Sequence, residues 1–90
     1  MRYLITLEQT EKGFSVQVPD LAIITWGKDI EDAKLAAAEA INTNLQVYRD
    51  IGKPLPGYGS ALTHLENPDF AGLLFAYIEI YDEIEQRIAA

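Results

Sequence analysis

From Arg2 to Gln9 and again from Phe14 to Val18 this chain alternates with a two-residue period, whereas from Ile30 to Tyr48 its apolar side chains recur at every third or fourth position. The first period belongs to strands with one buried face and the second to an amphipathic helix. One change of period near Asp29 therefore divides the chain into a sheet-forming segment and a helix that must cover it. Tyr3, Ile5 and Leu7 alternate with Leu4, Thr6 and Glu8, which predicts a first strand over Arg2 to Gln9. Thr10-Glu11-Lys12-Gly13 interrupts the pattern, and Phe14, Val16 and Val18 resume it around Ser15 and Gln17, as in a hairpin with Gly13 at positive φ. Pro19-Asp20 reads as a second turn, because proline has no amide proton to give to a ladder. The β-branched run Ile23-Ile24-Thr25-Trp26 then predicts a third strand ending at Gly27. Joined this tightly, the three strands form an antiparallel meander.

Asp29 has the chemistry of a helix N-cap, with Asp32 three residues later as in a capping box. Ile30, Ala33, Ala37, Ile41, Leu45 and Tyr48 share one helical face, so a helix of about five turns is expected to run to roughly Ile51. Asp32, Glu39, Gln46 and Asp50 lie on the opposite face, and the many alanines keep the flanks thin enough for close approach to a sheet. Gly52 suits the position after the C-cap, and Pro54 and Pro56 stop the helix. Beyond it, Ala61 to Leu65 fits one helical turn and Asn67-Pro68-Asp69 a turn. Leu74 to Tyr81 fits a strand in which Phe75, Tyr77, Glu79 and Tyr81 alternate with Leu74, Ala76, Ile78 and Ile80. The order is β-β-β-α-β, an α+β domain with one main helix on one face of a four-stranded sheet. The right-handed crossover rule places the last strand parallel to the meander, most simply beside the first strand, which makes the expected sheet mixed. No element remains for the second face, so apolar area is left over there for self-association, a partner, or both. Which alternating set of the last strand points outward depends on register.

Ninety residues support one core. Fourteen acidic against seven basic side chains leave a net charge of −7, which disfavours direct nucleic-acid binding and favours encounter with a basic protein. The absence of cysteine removes disulfides and thiolate chemistry. Glu8 falls too early for a signal-peptide apolar region and no membrane-spanning run follows, so a cytoplasmic location is expected. Glu8, Glu39 and Glu79 are the nearest thing to a carboxylate cluster for divalent metal. The centre of the first strand, Ile5-Thr6-Leu7, contributes no acid, and Glu39 points away from the sheet, so the three are expected to be solvated surface groups. His64 has no second histidine or cysteine to complete a zinc site and no nucleophile spacing, which fits an exposed or locally hydrogen-bonded imidazole. Gly57, Gly59 and Ser60 lack a following Walker lysine and read as turn residues. Trp26, Phe14 and the tyrosines lack the basic flanks of a base-stacking platform and read as core or interface. No catalytic, cofactor-binding or metal-binding residue is expected.

Several of these segments together resemble the HicB-like antitoxins. They are Arg2-Tyr3-Leu4-Ile5, Glu11-Lys12-Gly13-Phe14, Val18-Pro19-Asp20-Leu21, Gly27-Lys28-Asp29, the helix alanines 33, 37 and 40, Gly52-Lys53-Pro54-Leu55-Pro56, Asn67-Pro68-Asp69-Phe70 and Phe75-Ala76-Tyr77-Ile78-Glu79-Ile80. Each is common loop or strand chemistry; their order and spacing carry the likeness, over residues 1–82. The resemblance implies a partial ribonuclease H fold and a non-enzymatic, cofactor-free antitoxin module that binds a small basic HicA-type ribonuclease toxin and covers its active site. The chain departs from the family where Ala22-Ile23-Ile24 stands in place of a common Pro-Gly-Cys. Many members also continue into a DNA-binding domain, whereas residues 83–90 read here as a short tail without one. Acidic Glu8, Glu31, Asp32 and Glu79, with aromatic Phe75, Tyr77 and Tyr81, are the expected partner contacts, and a homo-oligomer, dimer or tetramer, is expected through the open face or an edge strand. The alternatives are an orphan homo-oligomeric domain and a metal-dependent nuclease-like or ligand-binding protein.

Overall fold

The computed structural model describes residues 2–56 and 61–80. Strands β1 (Arg2–Thr10), β2 (Gly13–Val18) and β3 (Ile23–Gly27) form the expected meander, followed by helix α1 (Ile30–Asp50), the short helix α2 (Ala61–Leu65) and strand β4 (Leu74–Glu79). The sheet order is β3-β2-β1-β4. A two-residue turn at Glu11-Lys12 closes the first hairpin, with Thr10 opposite Gly13. Gly13 has φ +156°, and a Cβ there would lie 2.8 Å from the Trp26 ring carbon Cζ2 as well as against the Gly27 carbonyl, so glycine is required for space as much as for conformation.

The helix ends are built as their residues suggest. Asp29 Oδ1 accepts from the Asp32 amide at 2.8 Å, and the reciprocal contact reaches one residue further back than a capping box does, since Asp32 Oδ2 accepts from the Lys28 amide at 2.9 Å. At the other end the Gly52 amide donates to the Arg49 carbonyl and the Lys53 amide to the Tyr48 carbonyl, with Gly52 at φ +72°, the paired bonds of a Schellman motif. Along the helix Ala33, Ala37, Ile41 and Leu45 are fully buried, whereas Ile30 is exposed and Tyr48 only half-buried. The core stripe is thus shorter than its sequence period. It packs on Tyr3, Ile5, Leu7, Val16, Val18 and Ile78 from the sheet.

β4 lies beside β1, as expected, but antiparallel to it, pairing Arg2 with Glu79 and Leu7 with Leu74. The sheet is therefore antiparallel throughout and not mixed. The crossover rule assumes that the helix alone returns the chain to the sheet. Here a second return leg follows α1. The Tyr3 hydroxyl donates to the Pro56 carbonyl at 2.9 Å, which ties residue 56 to the Arg2 end of β1, while β4 starts opposite Leu7 at the other end. Between Pro56 and Leu74 the connection crosses about 13 Å of strand length, and this extra pass reverses β4.

That connection is pinned a second time. His64 Nε2 lies 2.7 Å from Oδ1 of Asp20, which belongs to the 3₁₀ turn Pro19–Leu21, and the two side chains are 17% and 10% exposed. The His64 ring tilts against Phe70, 6.2 Å between centroids. His64 is thus neither exposed nor locally bonded, the two states its sequence context suggested: its partner lies 44 residues away in the chain, which local sequence could not show.

Two stability predictions follow from this packing. Leu45→Ala should cost about 2–5 kcal/mol in urea denaturation, through lost burial and the cavity left behind. Gly27→Ala should be comparably harmful although Gly27 needs no special φ, because its Cβ would collide with the Ala33 backbone and push α1 off the sheet. Separately, His64→Ala should cost about 1–3 kcal/mol by leaving the Asp20 carboxylate largely buried without its partner, and Asp20→Asn, which keeps a hydrogen bond, should cost less.

Candidate functional site

In an antiparallel sheet, residues directly opposite each other project to the same side. The register therefore sorts every strand residue. Tyr3, Ile5, Leu7, Phe14, Val16, Val18, Ile23, Thr25, Leu74, Ala76 and Ile78 face α1. The opposite, outer face carries Arg2, Leu4, Thr6 and Glu8 from β1, Ser15 and Gln17 from β2, Ile24 and Trp26 from β3, and Phe75, Tyr77 and Glu79 from β4. Of the two sets that alternation left open for the last strand, the aromatic one points outward.

The outer face is not bare, contrary to the expectation from the element count. Leu4 and Thr6 at its centre are 4% and 1% exposed, while Ile24, Trp26 and Tyr77 at its margins are 72%, 48% and 48% exposed. The face is thus closed in the middle and open along the β3 and β4 margins. On the β4 side the Arg2 guanidinium lies over the Tyr77 ring, 5.2 Å from its centroid, and Arg2 Nε lies 3.2 Å from Glu79 Oε2. This corner is internally neutralised, and an ion pair this exposed contributes little to stability. Its effect is to hold Tyr77 in one orientation.

At the other end of β4 an open cleft of about 660 Å³ is lined by Leu7, Glu8, Phe14, Ile30, Leu73 and Leu74, among others. It joins the outer layer to the start of α1. Exposed Leu74 and Ile30 thereby stand beside Glu8, with Glu31 next in the helix. The residues expected to contact a partner consequently fall into groups. Glu8, Phe75, Tyr77 and Glu79 share the outer face, Glu31 and Asp32 sit at the helix start, and Tyr81 lies outside the described residues. Asp32 is occupied in capping and Glu79 in its ion pair. Trp26 and Ile24 belong to the same face; β3 alternation shows that they share a side, but only the strand register shows which side that is.

The carboxylates considered for metal do not converge. Glu79 stands opposite Arg2, six strand positions from Glu8 or about 20 Å, and Glu39 is exposed on α1. Among the described residues no group of three or more His, Asp or Glu side chains is placed to hold a metal ion. His64 has Asp20 and Phe70 as neighbours and borders a cleft of about 420 Å³ with Gln17, Pro19, Ala22 and Ile24. Gly57, Gly59, Ser60 and the 83–90 tail lie outside the described residues. No described helix is long and apolar enough to cross a membrane.

Comparison with known proteins agrees with this geometry. The crystal structure of the Burkholderia pseudomallei antitoxin HicB superposes with a TM-score of 0.81 at 23% identity, over 89% of this chain and 63% of that one. This chain thus spans less than two thirds of that protein. The crystal structure of the N-terminal domain of the same antitoxin is covered completely, by 91% of this chain, at a TM-score of 0.78 and 23% identity. A HicA3 and HicB3 toxin-antitoxin complex contains a chain that matches with a TM-score of 0.74 and 24% identity, over 91% of this chain and all of that one. These superpositions establish a shared fold. No curated protein sequence matches the chain. The family model described as the HicB-like antitoxin of bacterial toxin-antitoxin systems matches residues 3–89, into the stretch read from sequence as a tail, and the chain belongs to that family.

Proposed function

We propose that this chain is a non-enzymatic antitoxin that acts in the cytoplasm by binding a small basic HicA-type ribonuclease toxin and occluding its active site. The observation that carries the reading is the outer-face margin along β4. Tyr77 is exposed there beside half-buried Phe75, with Glu8 at the far end of the same face and exposed Leu74 and Glu31 on the α1 side of that end, on a chain of net charge −7. Exposed aromatic side chains held in place supply contact area at small entropic cost, and surrounding acidic groups steer a basic partner. Membership of an antitoxin family and the likeness to a chain of a HicA3 and HicB3 complex support the same partner.

The test is co-expression with the small basic product of the neighbouring reading frame, read by rescue of growth and by titration calorimetry. Tyr77→Ala and Phe75→Ala should each weaken binding by about tenfold or more, as truncation of an interface anchor does. The double charge reversal Glu8→Lys with Glu31→Lys should mainly slow association and flatten its salt dependence. A chain that neither rescues growth nor binds the basic product would be an orphan domain instead, and Mg²⁺-dependent cleavage of an RNA–DNA hybrid would replace the reading with a nuclease.

A further inference from the structure

Among the described strand residues of the outer face, Arg2 is the only base. It stands directly opposite Glu79 and diagonal to Tyr77, which itself stands opposite Leu4. Tyr77 and Glu79 are two residues apart on β4, so the ring and the carboxylate share one side at a spacing of about 7 Å. The Arg2 guanidinium reaches both, 5.2 Å from the ring centroid and, at Nε, 3.2 Å from Glu79 Oε2. It uses little of what such a group can offer. A guanidinium has five donors and binds a carboxylate best through two parallel bonds of about 2.7–2.9 Å. Arg2 makes one longer bond, and among the described residues its terminal nitrogens make none. With the Arg2 and Glu79 side chains 62% and 42% exposed, the pair contributes little and separates at small cost.

We propose that Tyr77 and Glu79 form an arginine-binding subsite, that Arg2 fills it in the free chain, and that an arginine of the basic partner displaces Arg2 on binding. This rests on the toxin-binding reading of the β4 margin, and it adds which side chain of the partner is recognised and which residue of this chain opposes it. A partner's arginine is not tethered opposite Glu79, so it can cover the ring and give the carboxylate both terminal nitrogens at once. Lysine cannot do the same, because its ammonium is a point charge and has no plane to lay on the ring. Exclusion of water by the partner strengthens both contacts. Arg2 works against the exchange twice: it occupies the ring in the free chain, and once displaced it remains as a like charge nearby. Its loss removes one restraint on Tyr77, but buried Leu4 still stands opposite that residue. Removal of Arg2 is therefore expected to tighten binding, although it deletes contacts seen in the free chain.

The full chain is titrated with the small basic product of the adjacent reading frame and, separately, with hexa-arginine, using hexalysine as the peptide of equal charge. Arg2→Ala should lower the dissociation constant for the basic product and for hexa-arginine by about fivefold, the combined effect of an exposed ion pair and a cation–π contact. Lys12→Ala makes the same change in net charge in the turn beyond the other end of β1, and should lower it by less than about twofold. The gain from Arg2→Ala should disappear when Tyr77→Ala is added, and hexalysine should not show it. In the Arg2→Ala chain the Tyr77 ring resonances should shift more with hexa-arginine than with hexalysine. All three substituted side chains are exposed, so the circular dichroism should be unchanged. An Arg2→Ala affinity for hexa-arginine that is unchanged or weaker, a gain no larger than that of Lys12→Ala, or a gain that survives Tyr77→Ala would each overturn the proposal. Hexa-arginine tests the subsite without a toxin. A chain that shows the Arg2 effect with the peptide but does not bind the basic product loses the antitoxin reading and keeps the subsite; one that binds the product with no Arg2 effect on either probe does the reverse.

Discussion

The close contact between α1 and the sheet at Gly27, Ala33 and Ala37 governs the rest of the molecule. The first turn of the helix sits so near β3 that even a methyl group at Gly27 has no room, and alanine on the facing side of the helix is what permits that approach. A helix held this close spends its narrow apolar stripe on the inner face. Ile41 and Leu45 fill the wider gap further along, over Tyr3, Ile5, Leu7, Val16 and Val18. One helix therefore seals one side of four strands, and the other side keeps apolar margins that α1 does not cover.

Most of this arrangement was legible because it follows from local periods and local turn chemistry. The meander, the N-cap at Asp29, the C-terminal Gly52 and the turn at Asn67-Pro68 each depend on neighbours within a few residues, and each stands where its residues put it. The direction of β4 was not legible, because it depends on how far residues 51–73 travel, and that is set by Tyr3 reaching Pro56 and Asp20 reaching His64 across the chain. The same nonlocal register decides which side of β4 points outward. Alternation shows that Phe75, Tyr77 and Glu79 share a face, but only the pairing of Arg2 with Glu79 shows that it is the face without α1. The burial of Leu4 and Thr6 likewise escapes a reading that counts elements, since it depends on contacts made far along the chain.

The two margins of the outer face differ in chemistry. Along β3 the surface is uncharged, with Ile24 and Trp26 exposed. Along β4 aromatic side chains are framed by carboxylates and by Arg2, a chemistry suited to a basic protein of different shape. The chain belongs to the HicB-like antitoxin family, and under the proposed function such a partner is a toxin. Glu8, Glu39 and Glu79 are dispersed, and the His64 imidazole is hydrogen-bonded to Asp20.

The central claim is that the β4 margin of the outer face, and not the solvent face of α1, is what a toxin recognises. Hydroxyl-radical footprinting of the chain, free and bound to the small basic product of the adjacent reading frame, reads this directly, because both surfaces carry reactive exposed side chains. The account predicts that binding protects Tyr77 and Phe75 and leaves Leu35 and Val47 on α1 unchanged. Protection of Leu35 and Val47 with Tyr77 still fully reactive would contradict it.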